Sequence, residues 1–249
     1  MNTFLRLRSG LTHRNWLFCA ALITLWPDSQ ASAGIMLSGT RIILNAEQHS
    51  VSTIVSNLTG NDITVQTWVS DVKDSKDSLT PFIALPALFK VRAGEEQVVR
   101  IIKTPGPLPE DRESLFYFNA QEIPLLDHQQ GNPLKVVQCT RAKLFYRPGN
   151  LPGTPQEAPS QLQWKLLDQP SGTVLRVTNP SAYHVTFMGL RIMGGGRPIE
   201  LNDVGMVTPR SSQDYRLNHK LKSTTATVEF SIINDYGGYS DPIKSSVRF

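Results

Sequence analysis

Between Pro133 and Pro148 the chain reads PLKVVQCTRAKLFYRP, with Leu134 and Val136 on one parity and Lys135, Arg141, Lys143 and Arg147 on the other. In an extended strand the two parities face opposite ways, so one face is apolar and the other cationic. Ordinary strands run about five or six residues. This stretch, bounded by Gly131-Asn132-Pro133 and Pro148-Gly149-Asn150, allows about twice that, so part of it is expected to project beyond its own sheet. An apolar strand with an unpaired edge is a hazard unless a partner takes that edge. Such residues suit recognition of another polypeptide rather than bond-making.

The classical bond-making patterns are missing. His49, His128, His184 and His219 are isolated, without metal-ligand spacing, and read as surface or turn residues. Glu110, Glu113 and Glu122 read as solvated or paired carboxylates. No nucleophile elbow, phosphate loop or dinucleotide fingerprint occurs, and Gly194–Gly196 reads as a hairpin connection. Aromatic residues do not interleave with a basic patch as single-strand nucleic-acid binding requires. Asn57-Leu58-Thr59 matches the glycosylation triplet, a pattern frequent by chance. The expectation is a protein that is not an enzyme, with no cofactor, no metal and no nucleic-acid partner.

Residues 1–33 read as a secretory signal that is removed. Arg6, Arg8, His13 and Arg14 form a basic start, Trp16 to Trp26 is largely apolar, and Ala31-Ser32-Ala33 is a small-residue cleavage site. The apolar run is shorter than the roughly 20 residues that span a bilayer, so no membrane insertion is expected. Losing three Arg and one Asp with the leader turns the 25 basic and 21 acidic residues into 22 and 20, a net charge of +2. Only Cys139 then remains, which excludes an internal disulfide and a cysteine-rich zinc site. It reads as a small buried strand residue.

The elements around these residues alternate with period two and are separated by turn residues, which indicates an all-β chain. Strands are expected at 40–44, 51–56, 63–69, 97–103, 115–122 and 134–146, then at 162–166, 174–178, 184–192, 214–217, 225–233 and 243–248. The proline-rich segment 147–159 reads as a stiff linker. Two sandwiches of about 100 residues each fit the length: domain one over 34–150 and domain two over 151–249. No sequence repeat relates the halves. Leu85-Pro86 stands at a bend where an X-Pro bond can be cis.

Three segments, DRESLFYFN (111–119), KLFYRP (143–148) and INDYGG (233–238), together with the leader, resemble the PapD-like periplasmic chaperones of chaperone–usher pilus assembly. The resemblance covers the whole mature chain. It implies two immunoglobulin-like sandwiches set in an L with a cleft between them. It further implies that the long strand is lent to pilin (fimbrial) subunits that lack their own last strand, and that an outer-membrane usher receives them. By resemblance Arg41 and Lys143 anchor the subunit's C-terminal carboxylate, while Glu113, Arg147 and Asp235 form an interdomain charge cluster.

The physical logic is compatible. An incomplete sandwich exposes core and two strand edges, and a donated strand satisfies both. Leu134 and Val136 are the natural donors. Gln138 stands where a third apolar donor is expected, which implies either a different subunit groove or a register shifted onto Val137 and Cys139. Leu134 and Lys143 have opposite parity, which calls for a twist or bulge. The short 124–133 connection and the lack of a cysteine pair match the short F1–G1 loop subclass. A free strand of this kind can also cap itself in an oligomer. The residues alone leave open a structural exported sandwich, such as a pilin or adhesin subunit, and an exported hydrolase or binding protein.

Overall fold

The computed structural model describes residues 34–73, 79–123, 137–170, 172–194, 196–217, 221 and 225–249. The described residues contain no α-helix, and no helix long and apolar enough to cross a membrane. The first half holds β1 (Ile35–Leu37), β2 (Arg41–Asn45), β3 (Ser50–Asn57), β4 (Ile63–Ser70), β5 (Phe82–Leu85), β6 (Leu88–Val91), β7 (Glu96–Lys103), β8 (Ser114–Ile123) and β9 (Cys139–Arg147). The second holds β10 (Gln163–Gln169), β11 (Gly172–Asn179), β12 (Val185–Met193), β13 (Ile199–Leu201), β14 (Met206–Val207), β15 (Ser211–Arg216), β16 (Thr225–Ile232) and β17 (Ile243–Arg248).

Each half is an immunoglobulin-like sandwich of two sheets. In the first, β1-β3-β7-β5 faces β2-β9-β8-β4-β6. In the second, β10-β11-β15 faces β13-β12-β16-β17, with β14 also pairing β12. Alternate residues of facing strands make two separate cores. One contains Leu44, Val55, Val65, Val99, Ile101, Phe118 and Leu144; the other contains Leu166, Leu175, Ile192, Val228 and Phe230. The pairs are antiparallel except β2 with β9.

The structure adds five short strands to the expected set: β1, β5, β6, β13 and β14. β5 and β6, four residues each, are too brief for their alternation to register as strand; between them the Leu85–Pro86 bond is cis. β9 begins at Cys139; Leu134 and Val136 lie outside the described residues. Cys139 is exposed at the first position of β9, not buried as its type suggested, because it shares the parity of Arg141 and Lys143, opposite to the core-facing Ala142 and Leu144.

The segment joining the cores is held in place. Thr154 and Glu157 form a capping box, each backbone N–H donating to the other's side chain at 3.1 and 3.3 Å, and Ala158 is buried in the second core. The Tyr183 hydroxyl donates to the Gly153 carbonyl at 2.9 Å; Gly153 has φ +72°, a conformation that favours glycine.

One device recurs in both halves. At the end of β3, Asn57 donates to the carbonyls of Asn61, Val91 and Arg92 and accepts from the Thr59 N–H and hydroxyl. At the end of β11, Asn179 donates to Tyr183 and Thr208 and accepts from the Ser181 N–H and hydroxyl. The triplet at Asn57 is therefore a loop clamp; its amide is 1 % exposed and engaged.

Candidate functional site

β2 and β9 lie in parallel register, pairing Arg41 with Lys143, Ile43 with Phe145 and Asn45 with Arg147. In-register neighbours on adjacent strands stand about 4.8 Å apart. The intervening parity sends Ile42, Leu44, Ala142, Leu144 and Tyr146 into the first core. Arg41 and Lys143 are thus left side by side on the other face, with Phe145 and Arg147 following at two-residue steps.

The Arg41 guanidinium lies 5.5 Å from the Phe145 ring centroid, and the His184 ring packs on the same phenyl at 5.4 Å. Arg41 Nη2 is buried with no hydrogen-bond partner. Among the described residues no carboxylate is in salt-bridge range of Arg41 or Lys143; the acids of this region, Glu113 and Asp235, pair with Arg147. Burial lowers the pKa of Arg41 against the attraction of Asp235 and Glu113. Burial, then repulsion by Arg41, lowers that of Lys143. The two like charges are half-buried, and an anion placed between them would offset their desolvation.

That site opens on a cleft of about 550 Å³ lined from both sandwiches, by Arg41, Ile43, Thr53, Arg147, Tyr183 and Asp235 among others. A cavity of about 230 Å³ shares Arg41 and Asp235 with it and is lined further by His184, Thr186, Asn234 and Ser240.

Arg147 ties the two sandwiches together. It donates to Glu113 at 2.7 and 3.1 Å and to Asp235 at 3.0 and 3.3 Å, and it lies over the Tyr183 ring at 5.4 Å. Glu113 is 4 % exposed and receives two further bonds from His184, at 2.9 Å from the backbone N–H and 2.8 Å from Nδ1. Burial pushes the Glu113 pKa up, but the His184 and Arg147 contacts outweigh it and hold the carboxyl below its usual range. His184 is accordingly no surface residue: its side chain is 5 % exposed, buried because Glu113 and Phe145 enclose it. The same seam carries a Glu113 N–H to Ala182 carbonyl bond at 2.9 Å and an exposed Arg210–Asp111 pair at 2.7 Å.

The structure therefore brings Arg41 together with Lys143, and Glu113 with Arg147 and Asp235. Gln138 is exposed, and its carbonyl accepts from the Glu122 N–H at 3.2 Å, extending the β8–β9 ladder by one residue. Phe145, His184 and Thr186 escaped the sequence reading, because each acquires its role from a residue distant in the chain. His128 and His219 lie outside the described residues, and the described residues hold no cluster of metal-ligating side chains. A groove of about 820 Å³ in the second sandwich, along β12 and β16, has no unpartnered buried polar atom among the described residues.

Comparison with known proteins gives a consistent result. The family model described as pili and flagellar-assembly chaperone, PapD N-terminal domain, matches residues 34–152, and that of the pili assembly chaperone PapD C-terminal domain matches 157–244. The probable fimbrial chaperone YadV of Escherichia coli K12 is 36 % identical, covering 85 % of this chain and 89 % of the relative. The chaperone protein LpfB of Salmonella typhimurium is 34 % identical, covering 92 % and 97 %. The crystal structure of the YadV chaperone superposes with TM-score 0.75 over 87 % of this chain and all of the other, 100 %. The SafB chaperone, solved in complex with the Salmonella enterica SafA pilin, gives TM-score 0.70 at 27 % identity, covering 85 % and 95 %.

Proposed function

The chain belongs to the PapD family of pilus-assembly chaperones, and from that premise we propose that it works in the periplasm, holding pilin subunits by donor-strand complementation and passing them to an outer-membrane usher. Residues 1–33 act as the export signal, and the mature protein comprises domains 34–150 and 151–249. The observation that carries the reading is the half-buried pair Arg41 and Lys143, in register on β2 and β9 with no carboxylate in salt-bridge range among the described residues, Arg41 also lining the cleft. A subunit's terminal carboxylate is the anion they await. The solved complex of the related SafB with a pilin supports a pilin subunit as the partner.

In this reading Leu134, Val136 and Gln138 complete the subunit's core ahead of the anchor. Each buried aliphatic side chain contributes about 1.5–3 kcal/mol, and each hydrogen bond to a charged group about 1.5–3 kcal/mol. Association costs about 4–15 kcal/mol, so strand and anchor are needed together. The anchor also fixes register, since a one-residue slip turns every donated side chain to the wrong face. Glu113, Arg147 and Asp235 keep the two sandwiches aligned so that the cleft stays in shape. The shortness of the 124–133 connection in the sequence and the lack of a cysteine pair support the short F1–G1 loop subclass.

Co-expression with a pilin subunit tests the anchor. Arg41→Ala and Lys143→Ala each abolish the complex while the purified chaperone keeps its circular dichroism spectrum and melting temperature. Full subunit protection by both variants overturns the assignment.

A further inference from the structure

Two buried polar atoms without partners line one cavity, and they come from different sandwiches. Arg41 Nη2 belongs to β2 of the first; Thr186 Oγ1 belongs to β12 of the second. Thr186 is 5 % exposed. Its backbone is pinned: its carbonyl accepts from Ile233 at 2.9 Å, and β14 pairs it with Met206. The hydroxyl is thus held in place with nothing to bond. Three neighbours around the cavity are engaged: His184 with Glu113, Asp235 with Arg147, and the Ser240 hydroxyl with the Ile232 N–H and the Asp241 carbonyl. A buried hydroxyl left unsatisfied is a penalty, and such groups call for an explanation in the molecule's work.

We infer that Thr186 is a third binding residue for the subunit's C-terminal carboxylate, donating its hydroxyl from the second sandwich to an oxygen that Arg41 and Lys143 hold from the first. A carboxylate offers about four lone-pair sites on two oxygens, so two cations leave room for a hydroxyl donor. The contact explains why recognition uses both sandwiches: the tail bonds across the seam, and the seam must be rigid. This inference rests on the carboxylate-anchoring function proposed above.

The probe is an N-acetylated peptide of alternating threonine and valine, ending in a free carboxylate, beside the same peptide as its C-terminal amide. Both are titrated calorimetrically into the mature chaperone, Thr186→Val, Thr186→Ser and Arg41→Ala. Thr186→Val lowers affinity for the acid peptide about tenfold, equivalent to about 1.4 kcal/mol, and leaves the weak amide binding unchanged; Thr186→Ser restores the acid affinity. In the absence of peptide, Thr186→Val raises the melting temperature by about 2–4 °C, because an unpaired hydroxyl has been removed. A residue needed only for folding would move both readouts downward. An unaltered acid affinity in Thr186→Val, with binding lost in Arg41→Ala, overturns the role of Thr186 and leaves the anchor standing. Equal losses for acid and amide peptides overturn the carboxylate contact. Failure of the unaltered chaperone to prefer acid over amide overturns the anchor reading itself.

Discussion

Replacing Glu113 with glutamine keeps the side chain's shape and removes its charge. In the native cluster one carboxylate oxygen accepts two bonds from Arg147, at 3.1 and 2.7 Å, and the other accepts two from His184, at 2.9 and 2.8 Å. A glutamine amide has one acceptor oxygen, so in either orientation its NH2 faces two donors. Two bonds to a charged group are lost, each worth about 1.5–3 kcal/mol, and breaking a buried pair costs about 3–5 kcal/mol. Arg147 retains Asp235 at 3.0 Å, which places the expected loss near the lower end, at about 3 kcal/mol. Urea unfolding at neutral pH, followed by tryptophan fluorescence and far-ultraviolet circular dichroism, measures it. The cluster joins two sandwiches, so the variant is expected to unfold in two separated transitions where the native chain unfolds in one. The pH dependence gives an independent check. The folded Glu113 pKa lies below its usual 4.5, so its contribution is fully present above that pH and is lost as pH falls through the folded value. The stabilities of the two proteins therefore converge as pH falls below 4.5 and through the folded value. A loss under about 1 kcal/mol, the range of an exposed pair, or a gap that persists unchanged into strong acid, refutes the reasoning.

Other substitutions separate binding from folding. Lys143→Met removes a desolvated cation that no described carboxylate neutralises; subunit binding is lost while the melting temperature of the free protein holds or rises, and a clear fall would contradict it. Asn57→Ala and Asn179→Ala each leave loop carbonyls unpaired, with an expected loss of about 2–4 kcal/mol by denaturant titration; a loss under 0.5 kcal/mol, typical of surface changes, sinks the clamp. Arg210→Ala breaks only the exposed pair with Asp111 and changes stability by less than about 1 kcal/mol in the same titration.

Local alternation was enough to place most strands and to divide the chain into two β-rich halves, because side-chain parity is written in consecutive residues. The motifs around Glu113, Lys143 and Asp235 likewise marked the family without any fold in view. Elements too short for their own period escaped: β5 and β6 beside Pro86, and β13 and β14 in the second sandwich. So did the likeness between Asn57 and Asn179, which shows only when the carbonyls they clamp are known. Tertiary structure decided the rest. Arg41 and Lys143 come from opposite ends of the first sandwich and become neighbours only through the parallel register of β2 with β9, which no local pattern encodes. His184 read as a surface residue and is enclosed, since burial depends on what a distant segment brings to it. The unpartnered hydroxyl of Thr186 is likewise a property of the packed interface: a sequence displays its donors and acceptors, but only the fold determines which of them are satisfied.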